Sequence, residues 1–218
     1  MADPNAAADD AARSAAKTLQ DEALMADDAT LRLLFTEART HYGWQDKDVT
    51  EQTLRDMYEI AKMGPTSMNQ QPMRILFIRS DEAKNRLEPC LFDANRPKMR
   101  SAPVTAIVAY DLNFFEELPR LFPPNPNAQD IFSQNATAAQ INAFRNGTLQ
   151  GAYVMLAARA VGLDVGAMSG FDNAKVDEEF FHGTSIKSNF LINLGYADTS
   201  KIFRRLPRME YPETCQTL

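Results

Sequence analysis

The chain has 218 residues, of which 44% are apolar, and a formal net charge of −6 at pH 7. The length suits one domain with a substantial core, and the acidic balance disfavours nucleic acid as the main partner because phosphate-binding surfaces are normally basic. No window of about 18 uncharged apolar residues occurs, so a soluble protein without membrane contact is predicted. The two cysteines, Cys90 and Cys215, and the two histidines, His41 and His182, lack disulfide-framework or metal-ligand spacing. We therefore predict no metal and a reducing, cytoplasmic location.

The first 25 residues are expected to form an arm. Residues 6–12 are rich in alanine and aspartate, without the bias of a transit peptide or the apolar core of a signal peptide. Alanine favours helix, but a short isolated helix is marginal in water. The arm is therefore expected to be frayed or packed on a partner's surface, and residues 26–218 are expected to form one domain.

After the arm, apolar spacing predicts alternating helices and strands. Helices are predicted over residues 31–35, 53–63, 81–87 and 172–180. Strands are predicted over residues 74–78, 104–109, 165–168 and 189–194. Asp172 is expected to be the N-cap of the last of these helices.

Two further segments have clear expectations. Residues 149–160 are nearly uncharged, with apolar side chains on every face, which predicts a central helix that is buried all round and ends near Gly162. Residues 122–127 read FPPNPN. The prolines prevent regular structure there, so a loop or lid is predicted.

A polar segment between two prolines precedes the first predicted strand. Residues 64–72 read GPTSMNQQP, and the prolines end the preceding helix because they fix φ and withhold backbone donors. The side chains of Thr66, Ser67, Asn69 and the two glutamines donate and accept hydrogen bonds, which suits the edge of a flat heteroaromatic ring. On local chemistry alone, a surface loop between two elements is about equally favoured.

The same segment resembles the Pro-Ser-Ser-x-Asn-x-Gln-Pro signature of the nitroreductase family of FMN-dependent NAD(P)H oxidoreductases. Four other segments, at residues 39–41, 95–98, 166–171 and 204–207, match that family in the same order. The resemblance implies an α+β fold, an α/β sandwich whose mainly antiparallel central sheet is flanked by helices, in an intertwined homodimer. It places Pro65, Thr66, Ser67 and Asn69 at a flavin held mainly by the other subunit.

The resemblance also implies a phosphate site built from arginines. Arg39 would meet the FMN phosphate together with Arg204 and Arg205, since the planar guanidinium bonds two oxygens and stays charged. Thr40 and His41 would lie beside the flavin. Without the resemblance, a solvated surface residue is the simpler interpretation of Arg39. For the basic tail, a solvated face paired with Glu210 and Glu213 is the alternative to a phosphate site.

Two segments are implied to meet the flavin ring itself. Asn95 and Lys98 would reach its pyrimidine edge, where a cation stabilises the negative charge of the reduced ring; locally, residues 95–98 also resemble an ordinary basic turn. Met168, Ser169 and Gly170 would bring backbone N–H groups close to N5, because glycine lacks a Cβ.

The function implied by the resemblance is ping-pong hydride transfer. NADH or NADPH would reduce FMN at N5 and the reduced flavin would reduce an acceptor, so no side chain is predicted to be catalytic. Residues 39–44, 64–69, 122–123 and 146–153 resemble the malonic semialdehyde reductase (3-hydroxypropanoate dehydrogenase) branch. A broad-specificity nitro or quinone reductase and a non-catalytic flavin-binding domain remain alternatives. The substrate pocket is expected at the dimer interface, under residues 114–135.

Overall fold

The computed structural model describes residues 6–22 and 25–218, and the chain divides into two compact units, Met1–Ala38 and Arg39–Leu218. In the first unit, α1 spans Ala6–Asp21 and α2 spans Asp28–Leu31, followed by a π-helical turn over Arg32–Thr36. The Asp27 carboxylate caps α2 by accepting from the Thr30 amide at 2.7 Å. The predicted division at residue 25 between an arm and a flavin-binding domain stays a prediction.

The second unit contains the sheet and most of the helices. Its α-helices are α3 (Glu51–Ala61), α4 (Asp81–Leu87), α5 (Arg96–Ser101), α6 (Leu118–Leu121), α7 (Ala128–Ser133), α8 (Ala136–Ala160), α9 (Asn173–Phe181) and α10 (Tyr211–Thr214). Its strands are β1 (Met73–Ile78), β2 (Val104–Asp111), β3 (Asp164–Met168) and β4 (Ile186–Gly195). Asp172 caps α9 as predicted, its carboxylate accepting from the Lys175 amide. Residues 122–127 contain no helix or strand, which confirms the predicted loop.

The four strands form one sheet in the order β1-β2-β4-β3, and every neighbouring pair is antiparallel. This confirms the predicted α+β class and the antiparallel sheet. β1 and β3 lie at opposite edges, three strand spacings apart, which is about 14 Å. The predicted site residues are therefore divided between the two edges, because the polar segment precedes β1, whereas Met168–Gly170 lies at the end of β3.

The two faces of the sheet are covered by different helices. Ala106 and Val108 of β2 pack in one buried cluster with residues of α3 and α8. Ile107, between them, packs in a second cluster with Leu87 of α4 and Val176 of α9. Alternation along the buried strand thus produces a helix–sheet–helix sandwich. None of the helices in the described ranges is long and apolar enough to cross a membrane.

The prediction that residues 149–160 are buried all round is wrong for a single chain. The helix is longer than predicted, and its buried side carries Val154 and Ala157. Phe144 and Leu149 on the same helix are 51% and 40% exposed. The helix therefore has apolar side chains on two faces, one that is packed and one that is open.

Candidate functional site

The polar segment between the prolines folds into a tight turn with unusual backbone angles. Met68 and Asn69 have φ values of 50° and Gln71 has a φ of 43°, in the left-handed region that costs a non-glycine residue about 1–3 kcal/mol. The Gln71 side chain donates to the Asn69 carbonyl oxygen Oδ1 at 2.7 Å, and its backbone N–H donates to the Thr66 hydroxyl at 3.3 Å. Asn69 Nδ2 donates to the carbonyl oxygen of Leu121 at 2.9 Å. Local hydrogen bonds thus offset part of the strain.

The same turn is attached to α8. The Ser67 amide donates to Asn146 Oδ1 at 2.9 Å, and the Tyr153 hydroxyl donates to the Pro65 carbonyl oxygen at 3.1 Å. A Cβ on Gly64 would lie 2.0 Å from the Tyr153 ring, so only glycine allows this close approach. The loop that contains Pro65, Thr66, Ser67 and Asn69 is therefore held on a helix rather than projecting from the unit.

A second group of predicted residues meets around Asn95. Its Nδ2 donates to the Gly170 carbonyl oxygen at 3.0 Å, and its Oδ1 accepts from Lys98 Nζ at 3.0 Å. Lys98 Nζ also lies 4.8 Å from the centre of the Tyr42 ring. A Cβ on Gly170 would come within 2.4 Å of Asn95 Nδ2. Glycine at this position thus allows the contact between the β3 end and the α5 start.

The first and last of the predicted segments also meet. The Arg39 guanidinium donates to the Phe203 carbonyl oxygen, and the Phe203 ring packs edge-on against Tyr42 with centroids 5.1 Å apart. Arg204 and Arg205, which follow Phe203 directly, have exposed side chains. Contacts of Asn95, Lys98, Tyr42 and Phe203 therefore connect four segments of the chain, at residues 39–42, 95–98, 168–170 and 203–205.

His41 takes a different position from its neighbour Thr40. The Thr40 side chain is exposed, whereas His41 is 8% exposed and its Nε2 lies 3.3 Å from Asp164 Oδ1. The His41 backbone N–H donates to the Val165 carbonyl oxygen at 3.0 Å. The hydrogen bond with His41 lowers the pKa of Asp164, assisted by the Ala197 amide and opposed by burial. These contacts connect the residues that follow Arg39 to β3. The predicted position of His41 beside the flavin stays a prediction.

The two halves of the predicted site lie at different edges of the sheet. The turn at residues 65–69 leads into β1, and the cluster around Asn95 contacts the end of β3. Exposed or half-exposed cations of the cluster include Arg39, Lys98, Arg204 and Arg205. In an acidic protein, such a concentration of positive charge favours an anionic ligand.

Sequence reasoning did not assign site roles to the polar side chains of α8. Asn146 and Gln150 are 2% and 3% exposed, and Gln150 Oε1 accepts from the Met73 amide at 3.0 Å. Their spacing of four residues, which places them on one side of the helix, was a signal that could have identified them, because polar side chains in a buried stripe need specific partners.

Comparison with known proteins gives one family. The nitroreductase family model matches residues 36–196, a range that includes four of the five segments and ends before the tail. A protein of Exiguobacterium sibiricum, assigned as a nitroreductase and crystallised with FMN, superposes with a TM-score of 0.77 at 20% identity, covering 89% of this chain and 99% of that chain. A Bacillus subtilis protein assigned as a nitroreductase gives 0.77 at 18% identity, covering 88% and 100%. A Staphylococcus epidermidis protein assigned as an NAD(P)H:FMN oxidoreductase gives 0.74 at 18% identity, covering 89% and 98%. At identities this low, the superpositions establish only that these chains share a fold.

Proposed function

The chain belongs to the nitroreductase family, and from this premise we propose that it is an FMN-dependent NAD(P)H oxidoreductase that reduces malonic semialdehyde to 3-hydroxypropanoate. The observation that carries the FMN-dependent part of the proposal is a set of contacts that runs from Arg39 through Phe203, Tyr42, Lys98 and Asn95 to Gly170. These contacts gather segments distant in sequence into one cationic cluster. The neighbour crystallised with FMN and the neighbour assigned as an NAD(P)H:FMN oxidoreductase support the choice of cofactor and reductant.

The residues of the cluster fit FMN by their chemistry. Arg39, Arg204 and Arg205 supply guanidinium groups for one terminal phosphate. Asn95 and Lys98 supply donors for a ring edge, and Gly170, which has no Cβ, leaves room for the Asn95 amide. FMN, when bound, would supply the group that accepts and returns a hydride, so the protein needs no nucleophile or acid–base pair of its own.

Lys98 has the clearest electrostatic role in the proposal. Its ammonium group is half-buried and held by Asn95 and the face of Tyr42, so it is oriented before any ligand binds. A fixed cation stabilises negative charge that develops on a bound ring more effectively than one that must first reorganise. We infer that Lys98 favours reduction of the cofactor as well as its binding.

We also propose that the site is completed in a homodimer, by the turn of the second copy. Support comes from the strand order, because β1, into which the turn leads, and β3, whose end the cationic cluster contacts, lie at opposite edges of the sheet, about 14 Å apart. Further support comes from exposed apolar side chains on α8 and the tail that a second copy would cover, namely Ile141, Phe144, Leu149, Phe203, Leu206, Met209 and Tyr211. Obligate homodimer interfaces are typically large and apolar.

The substrate assignment rests on sequence motifs, so it needs a direct test. Initial rates with malonic semialdehyde and with a nitroarene should be compared anaerobically, each with excess NADH and with excess NADPH, and with free FMN without protein as the control. We expect a higher kcat/KM for the aldehyde. A higher kcat/KM for the nitroarene or a quinone would favour the broad-specificity reductase, which uses the same residues. Bound flavin that no acceptor reoxidises would favour the non-catalytic alternative.

A further inference from the structure

Helix α8 carries a row of carboxamide side chains on its packed side. Asn142, Asn146 and Gln150 follow one another at intervals of four residues, which places them on one face of a helix. Asn146 and Gln150 are almost fully buried. A buried amide is unfavourable unless its donors and acceptor are paired. The hydrogen-bond partners of this row therefore indicate its role.

Those partners lie in the segment that leads into β1. Gln150 Oε1 accepts from the Met73 amide at 3.0 Å, and Asn142 Oδ1 lies 3.5 Å from Gln70 Nε2. Asn146 lies between them and makes most of the contacts. Side chains of the row thus form several hydrogen bonds with this segment, between residues that are about 75 positions apart in sequence.

Asn146 uses both ends of its amide group. Its Oδ1 accepts from the Ser67 amide at 2.9 Å, while its Nδ2 donates to Gln70 Oε1 and to the Asn142 carbonyl oxygen, each at 2.9 Å. Gln70 itself is 1% exposed. Because one donor group and one acceptor atom must be held at fixed positions, a hydroxyl, a carboxylate or an apolar side chain cannot reproduce this set.

The segment that Asn146 holds is also the strained one. Met68, Asn69 and Gln71 adopt positive φ, and Asn69 lies two residues after Ser67 and one before Gln70. Non-glycine residues keep such backbone angles only where surrounding contacts determine their conformation. Asn146 fixes the segment on both sides of Met68 and Asn69.

We propose that Asn146 is a positioning residue that maintains the site-competent shape of residues 65–69. The inference rests on the proposed function for the role of that turn and adds the element that sets its geometry. The rest of α8 supports it, since the same helix carries the open apolar face assigned to the dimer. One rigid element thus places both the turn and the surface that brings the turn to its partner.

The first test compares Asn146→Ala with wild type as full-length protein without cofactor. Deuterium uptake of peptides covering residues 64–73 should rise in the variant, because the Ser67 amide loses its acceptor and buried Gln70 loses a donor. Titration with FMN should show an affinity at least about tenfold weaker than wild type. Gln140→Ala, which removes an exposed amide from the same helix, should change neither quantity.

A second variant, Asn146→Asp, retains the acceptor for Ser67 and replaces the donor by an acid. When protonated, the carboxyl group can still donate one hydrogen bond; when ionised, it faces the Asn142 carbonyl oxygen, which can only accept. The ratio of variant to wild-type FMN dissociation constants should therefore rise between pH 5 and pH 8. Taking the ratio at each pH removes the titration of the FMN phosphate, which falls in the same range. This variant carries the test if Asn146→Ala fails to fold.

The outcomes separate this inference from the proposed function. Wild-type protein that binds no FMN refutes the proposed function. Wild-type protein that binds FMN, with variants that bind it equally well at every pH, overturns the positioning role of Asn146. Increased deuterium uptake without weaker FMN binding also overturns it, because the conformation of the turn would then be irrelevant to the site.

Discussion

Lys98 lies where three separate parts of the second unit meet. It donates to Asn95, whose amide in turn donates to Gly170 at the end of β3, and it faces the ring of Tyr42. The side chain is therefore fixed by contacts within the protein. A cation fixed in this way contributes most where negative charge develops during a reaction, rather than to binding of the neutral ring.

Lys98→Ala should slow reduction of bound FMN by NAD(P)H more than it weakens FMN binding. The reason is that the negative charge near N1 and O2 of the flavin appears only as the hydride arrives. Stopped-flow absorbance gives the reduction rate, and fluorescence titration gives the affinity. Lys98→Arg, which retains the charge, is the matched control and should recover part of the rate. Equal losses of rate and affinity in Lys98→Ala would show that Lys98 only helps to bind FMN.

Arg205→Ala should weaken FMN binding by about 1.5–3 kcal/mol, the value of a lost charge-assisted hydrogen bond. The cofactor-free variant should still fold, which its thermal denaturation checks. Arg208→Ala is the control because Arg208 donates to the nearby Leu206 and Pro207 carbonyl oxygens. If Arg205→Ala and wild type bind FMN equally well, the tail does not contribute to the phosphate site.

At the scale of elements, the contact between His41 and Asp164 joins the residues after Arg39 to β3. Asp164 accepts from His41 Nε2 and from the Ala197 amide, and these bonds favour its ionised form, with its pKa below the usual value of 3.8. A carboxyl group whose pKa is lower in the folded state stabilises that state above its unfolded pKa. The contribution is lost as the pH falls through the folded pKa.

Asp164→Asn should therefore reduce stability at pH 6, and the difference from wild type should shrink as the pH falls below about 4. Urea denaturation at several pH values measures this difference directly. Other carboxylates with lowered pKa, such as Glu88 and Asp198, titrate in both proteins and cancel in the comparison. A difference that stays constant from pH 6 to pH 3 would show that Asp164 stabilises the fold by shape rather than by charge.

The elements were predictable from sequence where the controlling interactions are local. α4 begins and ends at the predicted residues, and the predicted cap of α9 is confirmed, because capping and apolar spacing depend on neighbouring residues. The open face of α8 was not predicted, since composition does not show how many layers cover a helix. The pairing of Asn146 with Ser67 was also missed, because it joins residues 79 apart in sequence.

For the whole molecule, the strand order is the reason why we do not expect one chain to form a complete site. The turn before β1 and the cluster at β3 lie at opposite sheet edges, as a site shared between two copies would require. Sedimentation at micromolar concentration should give near twice the 24.4 kDa chain mass. Since obligate homodimers often lack a stable folded monomer, dilution should weaken association, folding and FMN binding together. A monomer that retains FMN and turns over would exclude the shared site.

The most direct test of the central claim, that this chain is an FMN-dependent oxidoreductase, is the visible absorption spectrum of the purified full-length protein during one anaerobic cycle. We expect the protein to bind FMN, showing a flavin band that NADH or NADPH bleaches and that malonic semialdehyde then restores. Denaturation should release FMN rather than FAD, consistent with a site built for one terminal phosphate. A colourless protein that takes up no added FMN would contradict the account.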